Sequence, residues 1–362
     1  MAFTQEQILK ALSTVDDPDF KKDLVSLGMI KDLVFDEEKI AFTIELTTPA
    51  CPLKDKLEND CRNAIAQLVS HTVKVEIAFS SKVTSPRDVK AEILPNVKNI
   101  VVVASGKGGV GKSTVAVNLA ITLSQCGAKV GLIDADIYGP SVPTMLGLQG
   151  SRPGIEKVDE KNKIVPVEYL GMKVMSIGFL IGDKQPVAWR GPMATSALRQ
   201  IISDVIWGEL DYLVLDLPPG TGDIHLTLAS SVPVTGAIVV TTPQEVALAD
   251  ARKAIAFYQL DQVHVPVLGV VENMSYFSPP DMPEKKYYIF GKGGGQLLSQ
   301  QFDVPFLGEL PIEQMIREGG DLGKPASMQQ NTVAYKAFQQ LAQHVAQQIA
   351  ILNANLVEEV KE

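Results

Sequence analysis

Residues 106–114 read GKGGVGKST, and this run constrains the fold more than any other part of the sequence. It directly follows the apolar run from Val101 to Ala104, which is typical of a buried strand, and it precedes the helically spaced Leu119 and Leu123. Glycines at these offsets let backbone N–H groups turn towards phosphate oxygens, and the start of a helix adds positive potential. The pattern predicts a phosphate-binding loop, and a merely tight glycine turn is the weaker alternative.

Two side chains of this loop have individual predicted roles. Lys112 supplies a mobile positive charge for the β and γ phosphates of a nucleoside triphosphate, and Ser113 is a predicted ligand of Mg²⁺. The predicted cofactors are therefore ATP and Mg²⁺. The predicted nucleotide-binding residues of the loop are Gly106, Lys107, Gly108, Gly109, Val110, Gly111, Lys112, Ser113 and Thr114.

Carboxylates end two further apolar runs. Asp134 and Asp136 follow Leu132 and Ile133, and Asp216 closes the run LVLD. Mg²⁺ prefers oxygen ligands, so Asp134 and Asp216 are predicted magnesium ligands, whereas an isolated aspartate at a strand end is more often a solvated cap. The glycine-rich turn LPPGTGD at 217–223 is suited to sensing a γ phosphate.

The first 80 residues predict a small α+β domain. Thr4 and Gln7 have the spacing of a capping box. The large apolar residues at 40, 42, 44 and 46 alternate with Ala41, Thr43 and Glu45, as in a strand with one buried face. A helix is predicted next, and its apolar face comprises Leu53, Leu57, Cys61, Ile65 and Leu68. Residues 81–96 are polar, contain two prolines and are predicted to be a linker.

Residues 97–353 predict a second domain of the α/β class, a P-loop NTPase domain with a mostly parallel, doubly wound sheet. Near-continuous apolar strands separated by helical stretches are typical of a parallel sheet covered on both faces. These strands are predicted at 100–104, 130–133, 212–215, 237–241 and 267–271. A last helix is predicted at about 333–352, and residues 354–362 form an acidic tail.

Composition and charge narrow the expected partners. The 362 residues carry 33 Lys and Arg against 42 Asp and Glu, a formal charge of −9, which matches nucleic acid and anionic lipid poorly. No apolar run reaches the ~18 residues of a membrane helix. Three cysteines without a CxxC pair suit a reducing compartment. We expect a cytoplasmic protein with no nucleic-acid and no membrane partner.

Lys107 gives the phosphate loop its particular character. A lysine at this place in KGGVGKST is the mark of the deviant Walker A ATPases, a group that this chain resembles and that includes ParA, MinD, arsenite-pump ATPases and nitrogenase iron protein. The resemblance implies a homodimer in which Lys107 reaches the nucleotide of the partner, as an arginine finger does. A solvent-facing loop lysine is the alternative.

Longer stretches resemble the Mrp/ApbC family, the scaffold and carrier ATPases of iron–sulfur cluster assembly. They include DADIYGPSVPTMLG at 134–147, LDLPPGTGDIHLT at 215–227 and VVENMSYF at 270–277. The N-terminal domain, through TTPACP at 47–52, resembles the PaaD/SufT-like assembly domain. The resemblance implies slow ATP hydrolysis that controls the transfer of clusters from an assembly scaffold to apo-protein clients.

The same resemblance implies roles for three residues outside the phosphate loop. Asn273 would contact the adenine, Asp136 would orient the attacking water, and Asp216 would hold Mg²⁺ through a water molecule. The catalytic residues that follow from the motif and the resemblance are Lys107, Lys112 and Asp136.

The resemblance breaks at one place. Typical Mrp proteins carry a CxxC after the ENMSYF element, where two chains share a [4Fe–4S] cluster, but this chain has Pro279 and Met282 there. Proline has no donor side chain, and methionine offers only a neutral thioether. A carrier of [4Fe–4S] clusters is the main hypothesis. The alternatives are an adaptor ATPase that binds no cluster itself and a positioning ATPase of the ParA or MinD kind.

Cys51 is the candidate iron–sulfur ligand that remains. It lies just before a predicted helix, where N–H dipoles lower the pKa of a thiol and favour the thiolate. The alternative is a small buried apolar cysteine. Cys61 and Cys126 fall on apolar helical faces and are predicted to belong to the core.

Two weaker candidates complete the sequence analysis. The glycine run 291–295 follows Tyr287, Tyr288 and Phe290, which raises the alternative of a second phosphate loop beside base-stacking aromatics. It lacks GK[ST], so we interpret it as a surface loop with buried aromatics. None of the four histidines has metal-ligand spacing, and His225 alone lies beside the predicted switch.

Overall fold

The computed structural model describes residues 3–85, 93–158, 160–181, 191–279, 281–282 and 284–359. The chain divides into two compact units, one formed by Met1–Pro86 with Ala346–Glu362 and the other by Arg87–Val345. Residues 86–92 of the predicted linker and residues 360–362 of the predicted tail lie outside the described residues.

The first unit is a small α+β fold with a three-stranded sheet. Its central strand pairs antiparallel with the strand before it and parallel with the strand after it. The elements are α1 (Gln5–Leu12), β1 (Asp16–Asp17), β2 (Lys22–Asp23), β3 (Ile30–Phe35), β4 (Lys39–Leu46), α2 (Lys54–Leu68) and β5 (Lys74–Ser81). The predicted capping box is confirmed, since Thr4 and Gln7 bond each other's backbone N–H groups at the start of α1.

The buried face of β4 forms the core of this unit together with α1 and α2. Residues from Ile40 to Leu46 alternate between buried and half-buried positions, as their pattern predicts. The predicted helix face is wrong at Leu68, the last residue of α2, which is 58% exposed. Val69, the next residue, packs on the core in its place, because the chain leaves the helix there.

The second unit contains a large sheet covered by helices. Its strands are β6 (Val97–Ala104), β7 (Val130–Asp134), β8 (Gly154–Val158), β9 (Lys161–Val165), β10 (Val167–Tyr169), β11 (Met172–Ser176), β12 (Leu210–Asp216), β13 (Gly236–Thr241), β14 (Val267–Phe277) and β15 (Phe306–Ile312). Its helices are α3 (Lys112–Gln125), α4 (Val142–Met145), α5 (Gly191–Ser203), α6 (Asp223–Ser231), α7 (Glu245–Tyr258), α8 (Gly294–Phe302) and α9 (Gln314–Asp321).

The main sheet has eight strands in the order β10-β11-β7-β12-β6-β13-β14-β15. All neighbours are parallel except the β10 and β11 pair at one edge. The predicted α/β class and mostly parallel sheet are confirmed, and all five apolar runs are strands of it. The edge strands β10 and β15, and β11 next to β10, are not among the predicted strands, because β10 is three residues long and the others lack a long uninterrupted apolar run.

The last helix, α10 (Val333–Glu359), contributes residues to both units. It continues seven residues beyond the predicted end at Leu352, so the tail is helical as far as it is described. Asn353 is buried, and its amide donates to the backbone carbonyl of Thr84 at 2.9 Å, a contact that the sequence pattern does not reveal. Among the described helices, none is both long enough and apolar enough to cross a membrane.

Candidate nucleotide site

The predicted phosphate loop connects β6 to α3 at the carboxyl end of the sheet. Gly109 and Gly111 have φ angles of +82° and +83°, in the left-handed region that favours glycine, and Gly111 is the N-cap of α3. These two conformations turn the backbone so that the first N–H groups of a 14-residue helix face the loop. The local geometry therefore fits an anion-binding helix start.

At Gly106 glycine is required by close packing and not by a left-handed backbone conformation. A Cβ atom at this position would overlap the backbone carbonyl of Asp250 in α7, whereas one at Gly108 would only touch Pro219 at 3.8 Å. The first glycine of the loop therefore permits close packing against α7. This contact cannot be predicted from local sequence patterns, because Gly106 and Asp250 lie far apart in the chain.

Lys112 points towards three side chains of the site. Its ammonium nitrogen lies 2.5 Å from Asp216 Oδ1, 3.2 Å from Ser113 Oγ and 3.9 Å from Asp136 Oδ2. Its side chain is 6% exposed. The structure thus brings together the lysine and the carboxylates that were predicted from separate parts of the sequence.

The sheet register explains why the two strand-end aspartates meet. Strands β7 and β12 are parallel neighbours, and Asp134 pairs directly with Asp216 in their register. Asp134 is fully buried and accepts hydrogen bonds from the Val142 N–H at 3.1 Å and the Ser176 hydroxyl at 3.0 Å. Burial, and then the charge of Asp216, raises the pKa of Asp134 well above its ordinary value.

The donor set fits a magnesium ion. Asp216 is fully buried, and its Oδ2 atom accepts no hydrogen bond from any described residue, which leaves one carboxylate oxygen without a partner. The neighbouring donors, the Asp134 carboxylate and the Ser113 hydroxyl, are hard oxygen ligands of the kind Mg²⁺ prefers. A cation would also favour the charged form of the buried Asp134. These three residues remain the predicted ligands.

Asp136 lies where the loops after β7 and β12 face each other. Its Oδ1 accepts the Gly139 N–H at 3.3 Å, and burial raises the pKa of its carboxyl while Lys112 lowers it. A cavity of about 450 Å³ separates the two loops. Its lining includes Asp136, Tyr138, Pro218, Pro219, Asp223 and His225.

The residues 217–223, here called the 217–223 loop, are attached to β6 and to the phosphate loop. The Leu217 N–H donates to the Val103 carbonyl at 3.2 Å, and the Gly220 N–H donates to the Ser105 carbonyl at 2.8 Å. The loop that was predicted to sense a γ phosphate is therefore hydrogen-bonded directly to the residues that enter the phosphate loop.

Two family models match the chain. One, described as an iron–sulfur cluster assembly protein, matches residues 5–77. The other, the ParA model, is described as NUBPL iron-transfer P-loop NTPase and matches residues 96–346. The chain belongs to the NUBPL iron-transfer P-loop NTPase family. The predicted resemblance to the iron–sulfur ATPases and to an assembly domain is thereby confirmed.

Two curated relatives of this P-loop NTPase match almost its whole length, and a solved structure matches 70% of it. An iron–sulfur cluster carrier protein of Synechocystis sp. is 47% identical over 350 residues, 96% of this chain and 98% of that protein. A chloroplastic iron–sulfur cluster assembly factor of Arabidopsis thaliana is 44% identical, over 96% of this chain and 64% of that protein. A solved nucleotide-binding protein of Archaeoglobus fulgidus in complex with ADP is 38% identical with a TM-score of 0.57, over 70% of this chain and 96% of that chain.

Lys107 of this P-loop NTPase is exposed, and it makes no ion pair within the described part of the chain. The backbone of the residue is held in place, since the Ser105 hydroxyl donates to its carbonyl at 3.0 Å. A fixed backbone with an exposed cationic side chain suits a charge delivered to another chain. That role stays a prediction.

Asn273 supports the phosphate loop from β14. Its amide nitrogen donates to the Val110 carbonyl at 2.8 Å, and the residue is 6% exposed. A Cβ atom at Gly111 would overlap this nitrogen, so the contact requires glycine there. The adenine contact stays a prediction, and the hydrogen bond to the loop is a function of Asn273 that the sequence did not indicate.

The low thiol pKa expected for Cys51 is wrong. Cys51 is half-buried in the first unit, and burial raises its pKa to about 11. The N–H groups of Leu53 and Lys54 at the helix start lower the pKa, as expected, but by less than burial raises it. The carboxylates of Asp17 and Asp19 raise it further. The thiol form therefore dominates at neutral pH, and ligation by Cys51 remains a prediction.

The other two cysteines differ in burial. Cys61, a residue of α2, is fully buried in the core of the first unit, as predicted. The prediction that Cys126 belongs to the core is wrong, since this residue, at the end of α3, is only half-buried. Burial raises the pKa of Cys61 to about 12 and also raises that of Cys126. Within the described ranges, no three His, Cys, Asp or Glu side chains are arranged to hold a metal ion.

The glycine run 291–295 leads into α8, so its second half is helical and not a loop. The N–H of Gly295 donates to the carboxylate of Glu272, which is fully buried in β14. A side-chain anion thus occupies the start of α8, which disfavours a second phosphate loop. The expected burial of the preceding aromatics is wrong, since Tyr287 is 43% exposed and stacks under Lys285.

Proposed function

We propose that this protein is a Mg²⁺-dependent ATPase that binds and slowly hydrolyses ATP as a homodimer, and that it carries or transfers iron–sulfur clusters to apo-proteins. One observation supports the ATPase proposal above the others. Lys112 forms an ion pair with Asp216, and Asp216 pairs with Asp134 in the sheet, next to a loop that leads into an anion-binding helix start. Membership of an iron-transfer P-loop NTPase family supports the second half of the proposal.

Each residue of the site has its own proposed role in ATP hydrolysis. Backbone N–H groups at the start of α3 bind the phosphates, and Lys112 moves its charge from Asp216 towards the β and γ phosphates of ATP. Mg²⁺, when bound by Ser113, Asp134 and Asp216, offsets charge on the phosphate oxygens. Asp136 faces the cavity between the two loops and orients the attacking water there.

The proposed site includes a residue from a second copy of the chain. Lys107 is exposed, so within its own protomer it adds little to the charge around the phosphates. In a homodimer it would place a positive charge near the phosphoryl group of the partner's ATP, where negative charge develops during transfer. ATP binding would then favour the dimer, and hydrolysis would weaken it.

The cargo proposal comes from the relatives and from the first unit. Two relatives carry the names iron–sulfur cluster carrier protein and iron–sulfur cluster assembly factor, and residues 5–77 match a model of iron–sulfur cluster assembly proteins. We assign [4Fe–4S] clusters as the cargo, received from an assembly scaffold and passed to apo-protein clients. Cys51 is the candidate ligand in this chain.

A second candidate function is an adaptor ATPase that binds no cluster itself. It is favoured by two observations: Pro279 and Met282 replace the expected cysteines, and burial raises the pKa of all three thiols. A protonated thiol is a poor ligand, so cluster binding must displace a proton from each cysteine used.

Anaerobic iron–sulfur reconstitution distinguishes the two candidates. Wild type, Cys51→Ala and the matched control Cys126→Ala are reconstituted, iron and sulfide are counted per dimer, and visible spectra are recorded. A stoichiometric cluster that is lost only in Cys51→Ala supports the carrier. A wild type that gains no cluster, yet hydrolyses ATP and stimulates cluster delivery from a scaffold to an apo-protein, supports the adaptor.

A further inference from the structure

His225 links two elements that flank the proposed hydrolysis site. It lies in the first turn of α6, and its side chain is buried, with 2% of the residue exposed. Its Nε2 atom lies 2.9 Å from the Pro218 carbonyl oxygen, and its Nδ1 atom lies 2.9 Å from the Tyr258 hydroxyl, at the end of α7. Both ring nitrogens therefore have a partner, on opposite sides of the ring.

The two partners define the tautomer of the ring. A carbonyl oxygen can only accept, so Nε2 of His225 carries the proton and donates it to Pro218. In the neutral ring Nδ1 is then an acceptor, and the Tyr258 hydroxyl donates to it. Tyr258 thus selects the tautomer that can hold Pro218, as a hydrogen bond to one histidine nitrogen fixes the proton on the other.

The 217–223 loop depends on this contact because of its composition. Pro218 and Pro219 have no N–H, so neither can donate a backbone hydrogen bond. On the side of the phosphate loop the attachments are the N–H groups of Leu217 and Gly220. On the opposite side, within the part of the chain that is described, the His225 ring supplies the hydrogen bond to the Pro218 carbonyl.

The far end of this connection is α7, which also touches the phosphate loop. The backbone of Asp250 in α7 packs directly on Gly106, where a side chain would not fit, and Tyr258 closes the same helix. The helix therefore contacts the phosphate loop at one point and, through Tyr258 and His225, the 217–223 loop at another. One rigid element sets the position of both.

We propose that His225 is a positioning residue for ATP hydrolysis, held in its donor tautomer by Tyr258, and that it fixes the Pro218 carbonyl and with it the 217–223 loop opposite Asp136. This inference rests on the proposed ATPase function and deepens it. His225 contacts no phosphate in this account and acts through the loop.

The surroundings keep the ring neutral. Burial, and to a smaller extent the charge of Lys112, lowers the pKa of His225 to about 4, although the bond to Pro218 opposes this. The groups packed against the ring are Phe257, edge to face with centroids 6.1 Å apart, and Tyr258. Asp223 lines the same cavity. A neutral ring is required, because a protonated Nδ1 could no longer accept from Tyr258.

The test compares three variants with a control at an exposed histidine. His225→Leu removes both hydrogen bonds, His225→Gln keeps a side-chain N–H that can reach the Pro218 carbonyl, and Tyr258→Phe removes only the hydroxyl. The control is His344→Leu, since Nδ1 of His344 also bonds a backbone carbonyl, that of Leu307 at 2.9 Å, in another part of the unit. Steady-state ATP turnover, ADP affinity and thermal unfolding are measured for each.

We expect kcat to fall about tenfold to a hundredfold in His225→Leu, because misplaced groups slow a reaction without weakening substrate binding. The ADP affinity of His225→Leu should change less than threefold. The kcat of Tyr258→Phe should lie between those of His225→Leu and wild type, and His225→Gln should recover most of the lost kcat. An unchanged kcat in a folded His225→Leu overturns the proposal. So does a loss in His344→Leu that matches it at equal thermal stability.

A spectroscopic measurement separates this proposal from the ATPase proposal. ¹⁵N-histidine NMR of wild type, assigned by comparison with His225→Gln, should show a neutral Nε2–H ring at pH 7 and at pH 5.5, and a mixed or changed tautomer in Tyr258→Phe. If wild type shows this signature but hydrolyses no ATP, the ATPase proposal fails and the hydrogen-bonded pair stands. If the ring is an Nδ1–H tautomer, the positioning proposal fails whatever the activity.

Discussion

The ammonium nitrogen of Lys112 lies 2.5 Å from Oδ1 of Asp216, although the two residues are 104 positions apart in the chain. Both side chains are buried, at 6% and 0% exposure. A buried ion pair contributes little net stability, but removal of one partner is costly because the other charge stays buried. The phosphate-binding lysine and a predicted magnesium ligand therefore depend on each other.

This dependence predicts the stability of Lys112 variants. Lys112→Ala should lower the free energy of unfolding by about 3–5 kcal/mol, because it leaves the Asp216 carboxylate buried without a counter-charge. Lys112→Ala with Asp216→Asn should recover most of that loss and still bind no ATP analogue. Urea unfolding and titration with a fluorescent nucleotide measure the two effects. Equal destabilisation in the single and double variants would contradict the coupling.

The exposed Lys107 predicts a dimer-dependent effect. Lys107→Ala should bind ADP like wild type, and its ATP turnover should fall by about a thousandfold, as expected for a charge supplied by a partner chain. Turnover measured against protein concentration tests this, with the exposed Lys161→Ala as the control. Unchanged, concentration-dependent turnover in Lys107→Ala would show that the lysine has no role across the dimer.

Alanine should affect stability differently at the first two glycines of the phosphate loop, Gly106 and Gly108. Gly106→Ala forces a methyl group onto the Asp250 carbonyl and should lower the free energy of unfolding by about 3 kcal/mol, the usual upper range for overpacking. In Gly108→Ala the added methyl group would meet only Pro219, at 3.8 Å, so the free energy of unfolding should stay within about 0.5 kcal/mol of wild type. Similar losses in chemical unfolding of both variants would refute the packing argument.

His225 predicts a loss of stability in acid. Its pKa is 6.5 in the unfolded chain and about 4 in the folded one, so between these values the unfolded chain binds the additional proton. Stability therefore falls as the pH falls through this window, by about 2 kcal/mol between pH 7.5 and pH 5. In His225→Gln, urea unfolding across this pH range should no longer show this fall of about 2 kcal/mol in the free energy of unfolding. Parallel curves for both proteins would exclude a buried neutral ring.

Cys51 predicts slow alkylation. With a pKa near 11, its thiolate fraction at pH 7.5 is at least ~100-fold below that of an ordinary cysteine. Iodoacetamide labelling read by mass spectrometry should therefore be slow and accelerate up to about pH 11. Asp19→Asn removes one charge that raises the thiol pKa and should speed the reaction. Labelling of wild type as fast as free cysteine at pH 7.5 would show that Cys51 is a reactive thiolate.

Features encoded by local spacing were predictable. The phosphate loop, the five apolar strands of the main sheet and the capping box at Thr4 each depend on residues close together in the chain, and the structure has all of them. Helix ends were less predictable. Leu68 and the end of α10 differ from expectation, because distant packing partners decide where a helical face ends.

By itself the sequence determined the fold class, the phosphate loop and which acidic residues end strands, because periodicity and glycine spacing express these locally. Only the tertiary structure decided which side chains meet, since parallel strand order brings Lys112 to Asp216, α7 to Gly106 and Tyr258 to His225. It also decided the pKa of Cys51. Burial outweighs the helix start there, and burial is a property of the packed molecule and not of the neighbouring residues.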